Sequence, residues 1–485
     1  MKQDKRICVI GGDISTTALS MGGRTEEGQE VFVSTPMLGP TKWRDQPAFD
    51  LHCLPGMLEI CLEQFEAKGF TFAPKGALSW SVRQHDLTII DRTAHTLMPA
   101  LSWQCNAAKE EVTWLRQQGA ENSVGWIAER FILPKLMWVL RQKPDLQHRI
   151  GMVMPTGDYL NLLLTGSPTI STSDGLSNGL LRQDNKALAA EILELAGFEL
   201  EWFPRPIQSG TPVGQVKELR EQQMLYCLCR RLKGWQVIAD LGDNHAGAVG
   251  CGLADDWTIV VSAGTSGTVS RRCDPKLKVA EGVNCFEYYQ NRLLLLMLAD
   301  CAAWYNRFVE QFTRDQPLGT LDDLASNADI SMLVRIRQKQ VGETWEEVYP
   351  IEWSSLSLPV QVASTQLSIA ARLAELVKQM INAVPDENAT AIKRVVLTGG
   401  LSQSKFFRRG FHTALEGLGI KLEVTKSDRQ GPMAYQAATY GALINAMVGS
   451  GMFQSLEQAT ETLCPLKPCE PSLLLWEIRH GFFDE

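Results

Sequence analysis

The stretch GGDISTT, residues 11–17, lies between two short apolar segments at residues 7–10 and 18–21. An apolar run, a turn rich in glycine and threonine, and a second apolar run predict a strand–turn–strand hairpin. Such a turn offers N–H and hydroxyl donors without bulky side chains, which suits phosphate oxygens. Asp13 in the turn indicates a Mg²⁺ ion between its carboxylate and the phosphates. Taken alone, the stretch fits an ordinary hairpin turn better, because glycine-rich turns are common.

A second stretch of the same kind, SAGTSGTVS at residues 262–270, occupies the corresponding place in the second half of the chain. The repetition favours phosphate binding over a plain turn. Because 485 residues exceed what one hydrophobic core usually organises, we expect two domains, residues 1–254 and 255–485. Glycine-rich turns after strands predict an α/β fold with parallel strands. Neither turn is a GxxxxGK[ST] loop or a GxGxxG fingerprint, which argues against P-loop ATPases and dehydrogenases.

The segment LGDNHAGAVGCGL, residues 241–253, places Asp243 in the first turn of a helix made almost entirely of alanine and glycine. A helix N-terminus favours the ionised carboxylate by roughly 0.3–1 kcal/mol, so Asp243 is expected to be a ready proton acceptor at neutral pH. Phosphoryl transfer needs such a base beside an aligned hydroxyl. The residue type fits a helix N-cap equally well. Local sequence leaves the two interpretations open.

Composition excludes several classes of function. The net charge is −8 with 47 basic and 55 acidic residues, so no electrostatic footprint for nucleic acid is expected. The first apolar run is too short for a signal peptide, and the run at residues 293–298 is too short for a membrane span and predicts a buried strand. The twelve cysteines lack paired zinc-site spacings and are predicted to be free thiols. We therefore predict a cytoplasmic protein without a structural metal.

Several segments together resemble the FGGY carbohydrate kinases, which belong to the actin-like group of ATP-binding folds. GGDISTT resembles the family's GxDxGTT element, and GDNHAGAVG resembles its GDNxAGAVG element. SAGTSGTVS is similar to the second phosphate motif, and TGGLSQSKFF at residues 398–407 to the GGxSKSPxW adenosine motif. PKLMWVLRQKP at residues 134–144 and GDYLNLLLTG at residues 157–166 also match, and all these matches run in family order from residue 7 to about 446. The motifs are most similar to those of xylulokinases.

The resemblance implies two actin-like ATPase domains with ribonuclease-H-like cores around a hinged cleft. It implies ATP and Mg²⁺ as cofactors, Asp13 as the metal ligand and Asp243 as the catalytic base. The residues expected at ATP are small and lie in the three turns: Thr16, Thr17, Gly264, Thr265, Ser266, Gly399, Gly400 and Ser402. Lys135, Trp138 and Asp158 are expected to be structural. Relatives are commonly homodimers, so a homodimer is also an expectation.

The match to the family's sugar-binding motifs is less complete than the match to its phosphate motifs. LSWSVRQHDLTIID, residues 78–91, resembles the family's ISxSGQMHGLVLLD, which implies that His85 contacts the sugar. ALSWQCNAA, residues 100–108, stands in place of AILWxDxR and implies that Trp103 stacks on a sugar face. Asn244, beside the base, is a third expected sugar contact together with Asp243. Cys105 and Ala107 replace an acid and an arginine that help to bind sugar hydroxyls in the family.

Two further departures concern the first hairpin. Ser15 stands where the family has glycine, which costs on the order of 1 kcal/mol if the turn needs a positive φ. Ser20 stands where the family usually has lysine. Val82 and Arg83 also break the SGQMHG match. These changes leave the identity of the sugar open.

The sequence therefore predicts ATP-dependent phosphorylation of a primary hydroxyl of a ketose, a pentulose such as xylulose. One alternative is a kinase for a different sugar, a polyol or a sugar acid. A second is a catalytically weak or inactive relative that binds nucleotide and sugar as a sensor or scaffold. An actin-like or chaperone ATPase with protein clients is a third, although the residues at 134–144 and 157–166 favour sugar kinases.

Overall fold

The computed structural model of the chain describes residues 4–221, 223–298, 300–313, 318–341, 344–385, 390–473, 478 and 482–483. These residues form two compact units. The first unit comprises residues 1–252, 286–290 and 430–463, and the second comprises residues 253–285, 291–429 and 464–485. Residues 286–290 and 430–463 thus pack with the first unit, although they lie beyond the expected boundary at 254/255 in the chain.

The first unit contains strands that are short apart from four of seven to twelve residues, all before residue 83. In chain order they are β1 (Arg6–Ile14), β2 (Ala18–Thr25), β3 (Glu30–Pro36), β4 (Pro40–Trp43), β5 (Gln46–Phe49), β6 (Thr71–Val82), β7 (Thr88–Ile90), β8 (Ala100–Leu101), β9 (Met152–Met154), β10 (Thr169–Ser171), β11 (Arg205–Ile207), β12 (Pro212–Gln215), β13 (Gln236–Ile238) and β14 (Leu241–Gly242). The main sheet has the order β12-β13-β6-β1-β2-β3, with β14 also paired to β6. Strand β1 is antiparallel to β2 and parallel to β6, so it is hydrogen-bonded on both edges.

The helices of the first unit cover this sheet and build a second core beside it. They are α1 (Leu54–Ala67), α2 (Lys109–Gln117), α3 (Glu121–Val124), α4 (Ile132–Gln142), α5 (Thr156–Thr165), α6 (Thr172–Ser177), α7 (Ala190–Leu195), α8 (Tyr226–Leu232) and α9 (Asp243–Gly250), followed much later by α14 (Ala437–Gly449) and α15 (Leu456–Leu463). Helix α5 ends before Gly166, whose φ of 78° is the left-handed conformation that glycine adopts without strain.

Small residues let α14 approach α9 and β1 closely. A Cβ atom on Gly441 would lie 1.7 Å from the carbonyl oxygen of Ala246 in α9. On the other side, a Cβ atom on Gly11 in β1 would lie 2.3 Å from the backbone nitrogen of Leu443. Backbone contact of this kind is possible only between glycines and their neighbours. Residues 430–463 therefore belong to the first unit, because α14 holds α9 against the central sheet.

The second unit repeats the strand pattern of the first. Its strands are β15 (Thr258–Ala263), β16 (Gly267–Cys273), β18 (Asn291–Leu298), β19 (Arg337–Val341), β20 (Thr344–Val348), β21 (Arg394–Thr398), β22 (Glu423–Ser427) and β23 (Leu466–Pro468), and β17 (Asn284–Tyr288) is divided between the units. Its helices are α10 (Ala302–Phe312), α11 (Leu318–Ser326), α12 (Leu358–Asn382) and α13 (Lys405–Gly417).

The main sheet of the second unit includes the order β18-β16-β15-β21-β22-β23. Strand β15 is antiparallel to β16 and parallel to β21, just as β1 is antiparallel to β2 and parallel to β6. The buried helix α12 packs on this sheet and carries much of its core. Both sequence halves thus open with an antiparallel hairpin joined to a parallel strand, which confirms the predicted α/β architecture.

All twelve cysteines are free thiols, as the sequence predicted. Among the described residues, no helix has both the length and the apolar composition needed to cross a membrane.

Candidate active site

Asp13 lies at the end of β1, where the sequence predicted a turn. The ladder continues through the two glycines because β1 is paired on both edges, so the strand reaches Ile14 and the turn comprises residues 15–17. The parallel register places Asp13 beside Ser81 of β6, and the Ser81 hydroxyl donates to Asp13 Oδ1 at 2.7 Å. Burial raises the pKa of Asp13 to about 6 against the lowering effects of this hydrogen bond and of the Arg83 charge. The residue stays partly exposed.

The turn after β1 is closed by Ser15. Its hydroxyl accepts from the backbone N–H groups of Thr17 and Ala18 at 3.3 and 3.1 Å and donates to the carbonyl of Ala18 at 2.9 Å. Ser15 does not have a positive φ, so the strain that the sequence suggested does not arise. The serine instead stabilises the turn. Thr16 and Thr17 at its tip are exposed, as residues that meet phosphate must be.

Asp243 is the first residue of α9. Gly242 occupies the N-cap position, and the carboxylate of Asp243 accepts from the backbone and side-chain nitrogens of Asn244 at 2.8 and 3.2 Å. The alternative that Asp243 serves as the N-cap is therefore wrong. Part of Asp243 remains exposed, so the carboxylate is open to a ligand.

Electrostatics set the protonation of Asp243. Burial raises its pKa to about 7, outweighing the bond from the Asn244 amide, and the charges of Asp13 and Asp86 raise the pKa further while Arg83 lowers it. The helix N-terminus favours the ionised carboxylate, but desolvation penalises the charge more than the helix end stabilises it. Asp243 thus titrates near neutral pH.

Arg83 and Asp86 join the two acidic residues into one network. Arg83 Nε donates to Asp86 Oδ2 at 2.6 Å, and its Nη1 donates to the carbonyl of Ser15 at 3.1 Å. Both side chains are buried. Arg83, which interrupts the family motif, therefore fixes the turn after β1 relative to the end of β6, and its charge acts on both Asp13 and Asp243.

His85 is buried and neutral. Burial holds its pKa well below the usual range, and its ring stacks on Phe131 with centroids 5.0 Å apart. Its Nδ1 lies 3.2 Å from Oδ1 of Asn178, which also accepts from the N–H of Ile132. Since a carboxamide oxygen only accepts, Nδ1 carries the proton and Nε2 is an acceptor. A neutral imidazole with a free acceptor is suited to a sugar hydroxyl.

Trp103 connects the segment that follows β8 to the turn after β1. Its backbone N–H donates to Asp86 Oδ1 at 3.1 Å, and its indole N–H points to the Thr16 hydroxyl at 3.4 Å. The side chain is 40% exposed, which leaves an indole face open for stacking. Cys105 is buried in the core, where it replaces the acid expected from the family motif.

The turn between β15 and β16 contains Gly264, Thr265 and Ser266. Its carbonyl oxygens point toward the start of α10, where Ala302 N–H donates to Gly264 O at 2.9 Å and Cys301 N–H donates to Thr265 O at 3.1 Å. Thr265 and Ser266 are exposed. The carbonyls of Gly264 and Thr265 are thus held by the helix start, and the hydroxyl groups of the exposed Thr265 and Ser266 are available as donors.

Gly399 follows β21 in the same unit. Its φ is +91°, and a Cβ atom would lie 2.5 Å from the carbonyl carbon of Ala263, directly before the turn at residues 264–266. Gly400 is exposed, and the Ser402 hydroxyl donates to the carbonyl of Gly399 at 2.6 Å. The tertiary structure therefore brings the predicted second phosphate turn and the predicted adenosine turn next to each other.

The residues expected to be structural are buried. Lys135 is fully buried and donates to the carbonyls of His85, Leu101 and Ser102, the last two at 3.4 and 3.2 Å. Trp138 packs edge-on against Trp43. The lysine thus ties the chain around His85 to the chain before Trp103.

The sequence did not identify Ser81, Arg83, Asp86 and Asn178 as parts of this site. Ser81, Arg83 and Asp86 follow the apolar part of β6 at its carboxyl end, where polar residues after a buried strand are a recognisable signal for a site. Asn178 lies after α6 in a segment without any such signal. Only the folded chain brings its carboxamide to His85.

A family model supports the motif resemblance. Residues 45–250 match the N-terminal domain of the FGGY family of carbohydrate kinases. The xylulose kinase of Lactococcus lactis is 29% identical over 286 residues, which cover 56% of this chain and 55% of that kinase. The match thus spans about half the length of that relative, and the match to the xylulose kinase of Escherichia coli likewise covers 53% of it. The xylulose kinase of Staphylococcus xylosus is 23% identical over 93% of both chains.

Solved structures show the same fold. The ligand-bound xylulose kinase of Lactobacillus acidophilus superposes with a TM-score of 0.80 at 17% identity, over 96% of this chain and 93% of that one. A gluconate kinase from the same organism has a TM-score of 0.80 at 18% identity, over 96% and 93%. The glycerol kinase of Plasmodium falciparum with ADP has a TM-score of 0.80 at 13% identity, over 96% and 95%. The predicted actin-like ATPase fold is therefore confirmed, and residues 45–250 of the chain match the N-terminal domain of the FGGY family of carbohydrate kinases.

Proposed function

We propose that the chain transfers the γ-phosphoryl group of ATP to a primary hydroxyl of a ketose, a pentulose of the xylulose type. The observation that carries this proposal is the pair of partly exposed carboxylates, Asp13 at the end of β1 and Asp243 at the start of α9, which are close enough for their charges to interact. The names of the xylulose kinases among the relatives support the choice of a pentulose.

Asp243 is the proposed proton acceptor. Phosphoryl transfer from a hydroxyl requires a base within hydrogen-bond reach, and such a base works best with a pKa near the operating pH. The pKa of about 7 meets this condition. Asn244 holds the carboxylate at the start of α9 through two donors. The base therefore has a fixed orientation.

Asp13 is the proposed Mg²⁺ ligand. Its Oδ1 is occupied by the Ser81 hydroxyl, and the residue is partly exposed, so carboxylate oxygen remains available at the surface of the site. Hard carboxylate oxygens suit Mg²⁺, which is usually held by one or two carboxylates together with phosphate oxygens. When bound, the ion neutralises charge on the phosphates. Strand β1 and the hydrogen bond from the Ser81 hydroxyl hold the Asp13 carboxylate in position.

ATP contacts are proposed for both units. In the first unit, the exposed Thr16 and Thr17 present hydroxyl donors at the end of the β1–β2 hairpin. In the second unit, the turn at residues 264–266 presents donors, since its carbonyls are held by α10. Gly399 packs directly against the backbone of Ala263 before this turn, and Gly400 next to it has nothing within 4 Å of where a Cβ atom would lie, which suits the close approach of a nucleotide.

Sugar contacts are proposed for His85 and Trp103. The neutral His85 offers an acceptor nitrogen, and the exposed indole of Trp103 offers an apolar face for the carbon skeleton. Asn244 shares the start of α9 with the base and is the third proposed contact.

The test is ADP release with Mg-ATP across ketoses, polyols and sugar acids, measured for the wild type and for Asp243→Asn. We expect release with a pentulose, and a fall of about 10²–10⁴-fold in the variant while ATP binding persists. Asp184→Asn, a change at an exposed aspartate that pairs with Arg182, serves as the matched control and should leave activity unchanged. Undiminished sugar-dependent release by Asp243→Asn would remove Asp243 from the mechanism, and silence across the panel would favour a binding protein.

A sugar acid is a second candidate substrate, because of Arg130. Its guanidinium lies over Trp126 and Phe131, 5.1 and 5.7 Å from the ring centroids, and its charge reaches His85. It makes no ion pair within the described part of the chain, and burial lowers its pKa. A desolvated cation beside the proposed sugar contact favours an anionic group on the ligand.

The two candidates differ in their response to Arg130→Met. If the substrate is a neutral pentulose, kcat/KM should change less than about threefold, since no charge is lost against it. If it is a sugar acid, loss of a charged hydrogen bond of about 1.5–3 kcal/mol should lower kcat/KM roughly 10–100-fold, mainly through KM. A preference for neutral sugars together with an insensitive variant would eliminate the sugar-acid candidate.

A further inference from the structure

A cavity opens in the second unit, away from the turns at which ATP is expected. Its volume is about 520 Å³, which is in the range of pockets that hold small molecules. Its walls are the segment at residues 335–338, which leads into β19, residues 372–382 of α12 and the end of α13 at Leu418. The 13 residues of α13 span about 20 Å and separate Leu418 from the turn at residues 399–402. The cavity is therefore distinct from the proposed ATP contacts.

Positive charge dominates the lining of this cavity. Arg335, Arg337, Arg372 and Lys378 face one acidic residue, Glu375, so three positive charges are in excess. The Glu375 carboxylate accepts from Arg335 and, at 2.8 Å, from Arg372 Nη1. Within the described part of the chain, Arg337 and Lys378 form no ion pair. The other polar side chains of the lining are amides, so the cavity offers mainly hydrogen-bond donors.

The helix dipole does not explain this concentration of cations. Basic side chains are favoured in the last turn of a helix, where they meet unpaired carbonyls. The last turn of α12 contains no basic residue, and Arg335 and Arg337 do not belong to a helix. Cations that share one cavity repel each other, and an anion between them removes the repulsion. The arrangement is thus suited to a negatively charged ligand.

The wall that carries two of the arginines is fixed to the core. The N–H of Ile336 donates at 3.0 Å to the hydroxyl of Ser368, which is buried in α12. Side chains alternate along an extended segment, so Arg335 and Arg337 project from the same side of it. Arg335 Nη1 also donates to the carbonyl of Phe482 at 3.2 Å. These arginines therefore present their charge from a backbone that is already held in position.

Two further donors in the walls are unsatisfied. Arg372 Nε and Gln338 Nε2 are shielded from solvent and have no hydrogen-bond partner among the residues that the structure describes. A buried donor without a partner is costly, so each side chain gains by turning toward an acceptor that enters the cavity. Both unsatisfied atoms are donors, which again indicates a ligand with acceptor oxygens.

We propose that this cavity binds a phosphate monoester of small-molecule size. A phosphate group carries a charge of about −1.5 to −2 at neutral pH and three strong acceptor oxygens, which match several cations better than a single carboxylate does. Arginine guanidinium groups bind phosphate through paired N–H donors. The apolar side chains of Ile336 and Leu418 give the carbon part of the ligand a surface to pack on. The lining residues all belong to the second unit, so the proposal does not depend on the identity of the sugar.

The experiment is calorimetric titration of the full chain with ribose 5-phosphate, ribose and inorganic phosphate. Mg-ADP is present throughout to occupy the proposed nucleotide site. We expect ribose 5-phosphate to bind at least about ten times more tightly than ribose, and inorganic phosphate to compete with it. Arg372→Gln should weaken the binding of ribose 5-phosphate roughly 10–100-fold, and Lys378→Gln about two- to fivefold. Lys75→Gln removes the same charge from an exposed position on β6 of the first unit and should leave the affinity unchanged.

Three results would overturn the proposal: ribose 5-phosphate fails to bind, it binds no better than ribose, or its affinity is the same in Arg372→Gln and Lys378→Gln as in the wild type. An equal loss in Lys75→Gln would also overturn it, since the attraction would then come from the overall charge. If Arg372→Gln does not fold without its ion pair to Glu375, Arg337→Gln joins Lys378→Gln in the comparison. These measurements use no kinase activity, so their failure is distinguishable from failure of the proposed function.

Discussion

Sugar-dependent ADP release should rise with pH across neutrality, because the proposed base must lose its own proton before it can accept one from the sugar. Burial raises the pKa of Asp243 to about 7, and the neighbouring charges of Asp13 and Asp86 act in the same direction. An aspartate at its ordinary value of 3.8 would be ionised throughout this range. The pH profile therefore distinguishes a desolvated base from an ordinary surface carboxylate.

The size of the effect follows from the titration. With a pKa of about 7, about a tenth of the Asp243 carboxylates are ionised at pH 6, half at pH 7 and about nine tenths at pH 8. Only the ionised form accepts a proton, so kcat/KM should rise about tenfold from pH 6 to pH 8. Asp13, with a pKa raised to about 6, should add a steeper fall at still lower pH.

The assay should quantify ADP directly in quenched samples, so that no coupling enzyme contributes a pH dependence. Initial rates at subsaturating sugar give kcat/KM at each pH, and unfolding curves over the same range exclude loss of structure. Asp243→Asn should show a low and flat profile. A flat wild-type profile between pH 6 and pH 8, in an active enzyme, would refute the assignment of the elevated pKa to the catalytic base.

Three further predictions concern the framework of the site. Gly441→Ala should destabilise the first unit by about 3 kcal/mol in urea unfolding, because the new Cβ would overlap a carbonyl of α9. Gly247→Ala lies in open space on α9 and should stabilise the unit by up to about 1 kcal/mol, since alanine favours a helix more than glycine does. If the two variants behave alike, the close helix contact is wrong. Gly399→Ala should lower the free energy of unfolding by at least about 2 kcal/mol and weaken ATP binding in calorimetry, because the new Cβ would meet the Ala263 backbone at a φ of +91°. A Cβ atom at Gly400 would meet nothing within 4 Å, so Gly400→Ala should keep the fold. Equal stability of these two variants would contradict the conformation of this turn. Lys135→Met should lower the free energy of unfolding by about 1–3 kcal/mol, because it leaves buried carbonyls unpaired, and an unchanged urea midpoint would show that water replaces the amine.

Several elements of the fold have strong local signals in the sequence. The helix around Lys135, the helix that ends at Gly166 and the strand at residues 394–397 follow from hydrophobic periodicity and from glycine or proline stop signals. The two hairpins were recognised because glycine and threonine turns follow apolar strands. Asp13 was expected in a turn and lies in a strand, since pairing on both edges of β1 is a long-range property that no local pattern contains.

The protonation of the acids could not be predicted in the same way. Asp243 was expected to be ionised by the helix end, but its pKa depends on burial and on charges at residues 13, 83 and 86, far away in the chain. The contact between Asn178 and His85 could not be predicted either, because the two residues are 93 positions apart in the sequence. Desolvation and through-space charge act over a few ångströms, and only the folded chain defines those distances.

The sequence by itself indicated the resemblance to a family, the repeated α/β halves and the residue types that can bind phosphate and accept a proton, because motifs and periodicity are local and short. The tertiary structure alone decided which distant side chains share an environment. It assembled Asp158, Asp174 and Asp240 from three separate segments into one buried cluster. It also moved residues 430–463 into the first unit, because the glycines of α14 permit backbone contact with α9 and β1. Burial and proximity arise only when long-range packing is complete, and in this protein they set the pKa of the proposed base.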